Sequence, residues 1–254
     1  MFKSNITICI AGKNQCAVDA LSFLIKKKKN YKILSLPNKS DNGKDSWQKS
    51  FKKFSKKKKI KIVKLKDLYE LKNLIFFSFE YEKIIDIKKF KSNMLFNFHF
   101  SLLPKFRGCH TNFLQIFNGE KYSGVTLHQI DKGIDTGKIL YKSKFKIKIN
   151  DTGYNNYLRL MTESLKLFKK KLNNIIQKKY KYKKQNLKRG SYFNRKSVNY
   201  LKYIHIKKLN NSLITHNKIR ALIFPPFQLP IYNDRQIIKS IYKNKKIKLY
   251  FKQC

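Results

Sequence analysis

Residues 74–100 read LIFFSFEYEKIIDIKKFKSNMLFNFHF. They hold two apolar runs, Leu74–Phe79 and Met94–Phe100, on either side of a charged stretch. The first run is almost continuously apolar, as in a parallel strand covered on both faces. The second begins in the same way and then alternates Phe with Asn97 and His99. Working outward, short apolar runs recur at Asn5–Ile10, Tyr31–Leu36, Ile60–Leu65, Gly124–Ile130 and Ile139–Ile147, and each is read as a strand. Helical patterns fall between them. One covers Asp19–Lys28, and another places Trp47, Phe51 and Phe54 on one stripe of DSWQKSFKKFSK (45–56). A third covers Thr111–Phe117. The longest opens at Asp151, read as its N-cap, and aligns Tyr154, Tyr157, Leu158, Met161, Leu165, Phe168, Leu172 and Ile175. The lysine clusters 26–29 and 56–59 fit helix ends, where cations suit the carbonyl end of the dipole.

Strands alternating with helices imply α/β architecture, a Rossmann-like doubly wound and mostly parallel sheet. The run QKKYKYKKQNLKRG (177–190) changes the pattern and reads as solvated connector. Short strands and the Pro-rich FPPFQLP (224–230) follow it. The expected organisation is a Rossmann-like domain over 1–180, a basic connector over 181–190 and a small β-rich extension over 191–254.

The 254 residues carry 59 Lys and Arg against 14 Asp and Glu, a formal charge of +45. That charge invites a nucleic-acid partner. Yet only six of the cations are Arg, the residue whose fork reads phosphates and bases. The lysines are spread over every exposed segment among many Asn, Ile, Phe and Tyr, residues that share A- and T-rich codons. Genomic bias explains such an excess, and no specific nucleic-acid partner is expected. Cys9, Cys16, Cys109 and Cys254 lack C-x-x-C spacing and read as reduced thiols of a cytoplasmic protein. The start of the chain enters an apolar strand without a basic leader, and no 18-residue apolar run occurs, so neither export nor membrane insertion is expected.

In a strand, residues i and i+2 share a face, so Asn97 and His99 lie together while Phe96, Phe98 and Phe100 pack behind them. Ligands of open α/β sheets sit outside the carboxyl ends of the strands, where this pair falls. An amide beside an imidazole can donate two hydrogen bonds to a developing oxyanion. Further on, GVTLHQIDKGIDTG (124–137) brackets Asp135 between Gly133 and Gly137. Asp135 can orient His99, hold a water or collect a proton from an attacking amine. Amide, imidazole and carboxylate suit acyl transfer to nitrogen. The chain has no G-x-S-x-G elbow, no P-loop and no G-x-G-x-x-G after its first strand. His110, His128, His205 and His216 show no partner pattern and read as structural or surface residues. Lys105 and Arg107 fit substrate phosphates as well as a solvated loop.

FNFHFSLLPKFRG together with GVTLHQIDKGIDTGKIL resembles the signature of the formyltransferases that use 10-formyltetrahydrofolate. The resemblance implies Asn97, His99 and Asp135 as the catalytic set. It implies a pteridine held by backbone around Phe79–Tyr81 and Ile130–Gly133 and covered by Leu102 and Pro104. Two departures stand out. Phe100 occupies a place where the family usually has Pro, and AGKNQCAV (11–18) is no glycine-rich phosphate loop, which argues against the glycinamide ribonucleotide branch. THNKIRALIFPPFQLPIYNDRQI (215–237) resembles the continuation in sugar-nucleotide N-formyltransferases, and the tail is short for the barrel of the methionyl-tRNA enzymes. The resemblance therefore implies an enzyme formylating a nucleotide-linked deoxyamino sugar. The alternatives are a shortened methionyl-tRNA formyltransferase and a non-catalytic lysine-rich nucleic-acid-binding protein. The tail has too few strands to bury a core alone, so a homodimer is expected.

Overall fold

Leu74–Phe79 has Ser78 as its one polar side chain, so it is stable only where both faces are covered. In the computed structural model it is strand β3, near the middle of a six-stranded sheet. The structure describes residues 6–27 and 31–253. Asn5 and Lys28, at the ends of the expected first strand and helix, lie outside these, as do Lys29 of the first lysine cluster and Cys254. The elements run β1 (Thr7–Gly12), α1 (Asn14–Lys26), β2 (Lys32–Pro37), α2 (Phe51–Lys57), β3, β4 (Leu95–His99), β5 (Arg107–Gly108) and α3 (Thr111–Phe117). They continue with β6 (Tyr122–Gln129), β7 (Ile139–Lys146), α4 (Gly153–Ile176), β8 (Tyr192–Phe193), α5 (Tyr200–Ile204), α6 (Leu213–Leu222), β9 (Ile231–Tyr232), β10 (Arg235–Lys243) and β11 (Lys246–Phe251).

The sheet order is β2-β1-β3-β4-β6-β7. β1 is parallel to β2 and β3, β3 is parallel to β4, and β6 runs antiparallel to β4. The doubly wound, mostly parallel α/β fold is therefore present. The chain divides into two compact units, each gathering three segments. The first comprises 1–99, 125–143 and 161–187, and the second 100–124, 144–160 and 188–254.

The first unit is organised by phenylalanine. Phe79 and Phe98 stack at 4.4 Å, and Phe168 of α4 sets its edge against Phe77, Phe79 and Phe98 at 5.1, 5.4 and 5.9 Å. Each such pair adds about 0.5–1.5 kcal/mol to the burial of its area. At the ends of the parallel strands, Gly12 sits so close to Phe79 that a Cβ would lie 1.9 Å from its carbonyl oxygen. No side chain fits there.

The second unit has its own core, with Phe106, Phe113, Leu114, Ile116, Ala221 and Leu222 packed together. Gly153 meets the Ala221 carbonyl, which a Cβ would approach to 2.3 Å. Buried Arg220 ties α6 to the loop before α4, donating to the carbonyl oxygens of Asp151 (2.5 Å) and Lys148 (3.2 Å) and to Asn217 Oδ1 (2.9 Å). Burial pulls its guanidinium down to about 10. The C-terminal extension holds the antiparallel sheet β11-β10-β9 and, besides strands, the helix α6.

Three local expectations need correction. Residues 60–65 form no strand but one isolated bridge, Ser35 to Ile62, because Val63 is buried there while Ile62 faces solvent. Helix α2 starts at Phe51, leaving Trp47 in the preceding loop. Ser50 ends that loop: Asp45 and Asp41 accept from its N–H and hydroxyl, and its own Oγ accepts from Lys53 N–H. At the start of α4, Thr152 caps Asn155 N–H (3.1 Å), while Asp151 turns back to Lys148 N–H (2.8 Å). The connector after α4 is mostly exposed, and Lys183 joins it to β7 by a bridge with Ile139. Among the described residues no helix is long and apolar enough to cross a membrane.

Phe168 is fully buried against four aromatic rings, Phe23 included. Phe168→Ala should lower the unfolding free energy by about 3–5 kcal/mol in urea titration. A loss under about 1 kcal/mol would mean that this cluster does not carry the unit.

Candidate active site

Asn97 and His99 point away from the phenylalanine stack because β4 alternates. Phe96 and Phe98 are buried on one face, which commits the next side chains to the other. Strand β6 brings a second pair to that face. Its register sets His128 opposite Asn97 and Thr126 opposite His99. The loop 130–138 then carries the carboxylate. It leaves the sheet with Ile130 N–H bonded to Leu95 O (2.8 Å) and closes with Gln129 N–H donating to Lys138 O (2.9 Å). Within it, Asp131 Oδ1 accepts from Gly133 N–H (3.1 Å) and the Thr136 hydroxyl (2.7 Å). Gly137 lies against the end of β6, where a Cβ would come within 1.7 Å of Gln129 O. Asp135 takes the left-handed conformation, φ 54°, which Asp tolerates better than most residues.

These constraints bring four side chains together. Asp135 Oδ1 lies 3.2 Å from Asn97 Nδ2 and 3.3 Å from His128 Nε2, and Asp135 Oδ2 lies 3.4 Å from His99 Nδ1. Asn97 Nδ2 is also 3.3 Å from His128 Nε2. All this occurs with little water, since His99, His128 and Asp135 are 7%, 2% and 11% exposed. Asn97, His99 and Asp135 are thus in one place. His128, read from the sequence as structural, belongs with them.

The state of His128 follows from its other nitrogen. Nδ1 is 2.8 Å from Gln129 O, which can only accept, so Nδ1 carries a proton. A neutral ring then accepts one of the two Asn97 N–H groups at Nε2. An imidazolium donates from Nε2 to Asp135 and leaves that Asn97 N–H for a ligand. The signal for His128 was alternation: Val125 and Leu127 are wholly buried apolar residues, and Thr126 and His128 take the intervening face. It is the same pattern that singles out Asn97 and His99.

The remaining candidates lie in both units. In the first, Phe79 is fully buried and offers backbone alone, with its carbonyl accepting from Lys13 N–H at 3.4 Å. Tyr81 is half-buried against Phe76, and burial raises its phenol to about 12. Ile130 and Gly133 belong to the loop just described. In the second unit, Leu102 and Pro104 are half-buried on either side of the wholly buried Leu103. Lys105 is exposed and paired with Glu120 at 3.0 Å. Arg107 differs. Its guanidinium stands 5.9 Å from the Tyr192 ring, and its Nε is buried without a hydrogen-bond partner. Among the described residues no group of three or more His, Cys, Asp or Glu side chains is arranged to hold a metal.

Comparison with known proteins places this geometry in context. A family model described as formyl transferase matches residues 5–172. The chain is 47% identical to WlaRD, a sugar 3N-formyl transferase solved in the presence of dTDP and 5-N-formyl-THF, with a TM-score of 0.88 over 94% of this chain and 87% of that one. It is 44% identical to the N-formyltransferase from Helicobacter canadensis, solved with folinic acid and dTDP-3-aminofucose, with a TM-score of 0.86 over 93% and 87% of the two chains. Among curated proteins it is 36% identical over 239 residues to the bifunctional polymyxin resistance protein ArnA of Wigglesworthia glossinidia brevipalpis. That match takes in 89% of this chain and 36% of ArnA. The chain spans about a third of the length of the curated relatives that it matches first.

Proposed function

Because the chain belongs to the formyl transferase family, we propose that it moves the formyl group of 10-formyltetrahydrofolate to the amine of a nucleotide-linked deoxyamino sugar. The observation that carries this reading is the Asn97–His99–Asp135 constellation, an amide and an imidazole sharing one carboxylate. The two relatives solved with dTDP or a dTDP-sugar support a dTDP-linked 3-amino sugar as the first acceptor to try.

Each residue has a part in that chemistry. His99 has its Nδ1 paired with Asp135, and its Nε2 meets, as a donor, the oxygen that becomes negative when the amine adds to the formyl carbon. Asn97 supplies a second donor when His128 is charged and takes none of its hydrogens. Asp135 receives the proton that the amine loses and passes it to the folate N10 as the bond from N10 to the formyl carbon breaks, so that the formamide forms and tetrahydrofolate leaves. Backbone at Phe79–Tyr81 and Ile130–Gly133, with Leu102 and Pro104, supplies the proposed pteridine contacts. Arg107, with an unpartnered buried Nε, is the better candidate for the substrate phosphates than Lys105, which Glu120 already neutralises. On this reading the enzyme is proposed to work in the cytoplasm. It is also proposed to be a homodimer, because the second unit exposes Leu201, Ile214 and Phe227 by 80%, 65% and 69%.

The direct test incubates the protein with 10-formyltetrahydrofolate and dTDP-, UDP- and GDP-amino sugars, with charged initiator tRNA alongside, and follows folate release. Release with dTDP-3-aminofucose is expected. Formylation of the tRNA alone would sink the sugar reading.

In that assay His99→Ala and Asp135→Asn should each lower turnover by about 100-fold or more with the fold intact by circular dichroism. Near-normal turnover removes that residue from the mechanism. Arg107→Met should raise the KM for the sugar nucleotide about tenfold, and Lys105→Met by less than about threefold, since a buried partner is worth more than an exposed, already paired one. Equal effects would contradict the assignment. Sedimentation equilibrium should give the mass of a dimer, and a monomer at micromolar concentration would refute that state.

A further inference from the structure

The basic stretch after α4 reaches back to the loop that carries Asp135. It is fixed to the sheet first by the Tyr180 ring, set edge-on against Phe96 of β4 at 6.0 Å, and then by backbone, with Ile139 N–H donating to Lys183 O and Lys183 N–H donating to Ile139 O, both at 2.8 Å. Two residues on, the Gln185 side-chain amide donates from Nε2 to Asp135 O at 2.9 Å and to Gly137 O at 2.7 Å. Its Oε1 is buried and has no hydrogen-bond partner. The amide cannot be turned around, because Oε1 would then face two carbonyl oxygens with no hydrogen to give.

We propose that Gln185 is a positioning residue for Asp135. It touches neither the carboxylate nor His99 in the bonds just given. It acts on the backbone on either side of Thr136, at the one loop position with a left-handed non-glycine residue. Asp131 secures the first half of the loop through Gly133 and Thr136, and Gln185 secures the second. Gly137 is also pressed on Gln129 O, the acceptor of His128 Nδ1. Holding Gly137 therefore fixes Asp135 and the carbonyl that sets the tautomer of His128 in one contact. The Lys183 bridge needs no side chain, so replacing Gln185 removes the two amide bonds and leaves the strap on the sheet.

The proposal rests on the formyl-transfer reading for its kinetic consequence alone. Gln185→Ala should lower kcat about tenfold while the KM for each substrate stays within about threefold, because a displaced carboxylate costs orientation in the transition state rather than binding. Gln185→Glu, the same shape without an N–H, should be no better than Ala, so length cannot rescue what donation provides. Independently of any turnover, amide hydrogen exchange over 131–138 should speed up about tenfold in both variants, with β1 and β3 unchanged. If the wild-type protein releases no folate, the functional reading fails while hydrogen exchange still decides the role of Gln185. Unchanged protection over 131–138, or a loss spread equally over β1 and β3, overturns the proposal. Gln185→Met, of similar length and without a donor, serves the same comparison should the Ala variant fail to fold.

Discussion

Antiparallel pairing of β6 against β4 is the constraint on which the site depends. Because side chains alternate with period two, the register Asn97 to His128 decides which four groups share a face. A slip of one residue would bring Leu127 opposite Asn97 and turn His128 into the phenylalanine layer. That slip is prevented from behind. Phe96 and Phe98 are buried against Phe77 and Phe79, and no polar side chain could replace them there without losing both area and ring contacts. Packing on one side of the sheet thus sets the chemistry on the other.

Much of this was legible in the residues themselves. Asn97, His99 and Asp135 stand out because strand alternation and a glycine-bracketed loop are local signals. His128 reads as structural in the sequence because its contact with Asn97, 31 residues away, arises only where β6 pairs with β4. The apolar character of residues 60–65 was real, yet one bridge to Ser35 does not make a strand when a single member is buried. Helix starts slipped for a similar reason. Asp45, Asp41 and Thr152 compete for backbone N–H groups, and no periodicity records which carboxylate or hydroxyl wins.

The lysine excess looks different once the side chains are placed. Lys144 stands 3.8 Å over the Tyr122 ring, and Lys171 stands 4.5 Å over Tyr141. In such places a long alkyl stem covers apolar surface while the ammonium stays in water. Arg220 is not of that kind. It is buried, and its planar fork meets two carbonyls and an amide at once, which a single ammonium on a flexible stem does less well.

The order in which the chain supplies the first unit has a consequence for synthesis. Its segments end at residues 99, 143 and 187. A nascent chain emerging from the ribosome therefore exposes β3 and β4 well before Phe168 arrives to cover Phe77, Phe79 and Phe98. The carboxylate loop is complete at residue 138, but the glutamine that holds it emerges 47 residues later, by the difference between 185 and 138. At ordinary translation rates of about 5–20 residues per second, that leaves an interval of seconds. For most of it Phe168 has yet to emerge, and Phe77, Phe79 and Phe98 lack the ring that covers them. A chain with this wiring gains from chaperone binding early in its synthesis, and it acquires an ordered site late.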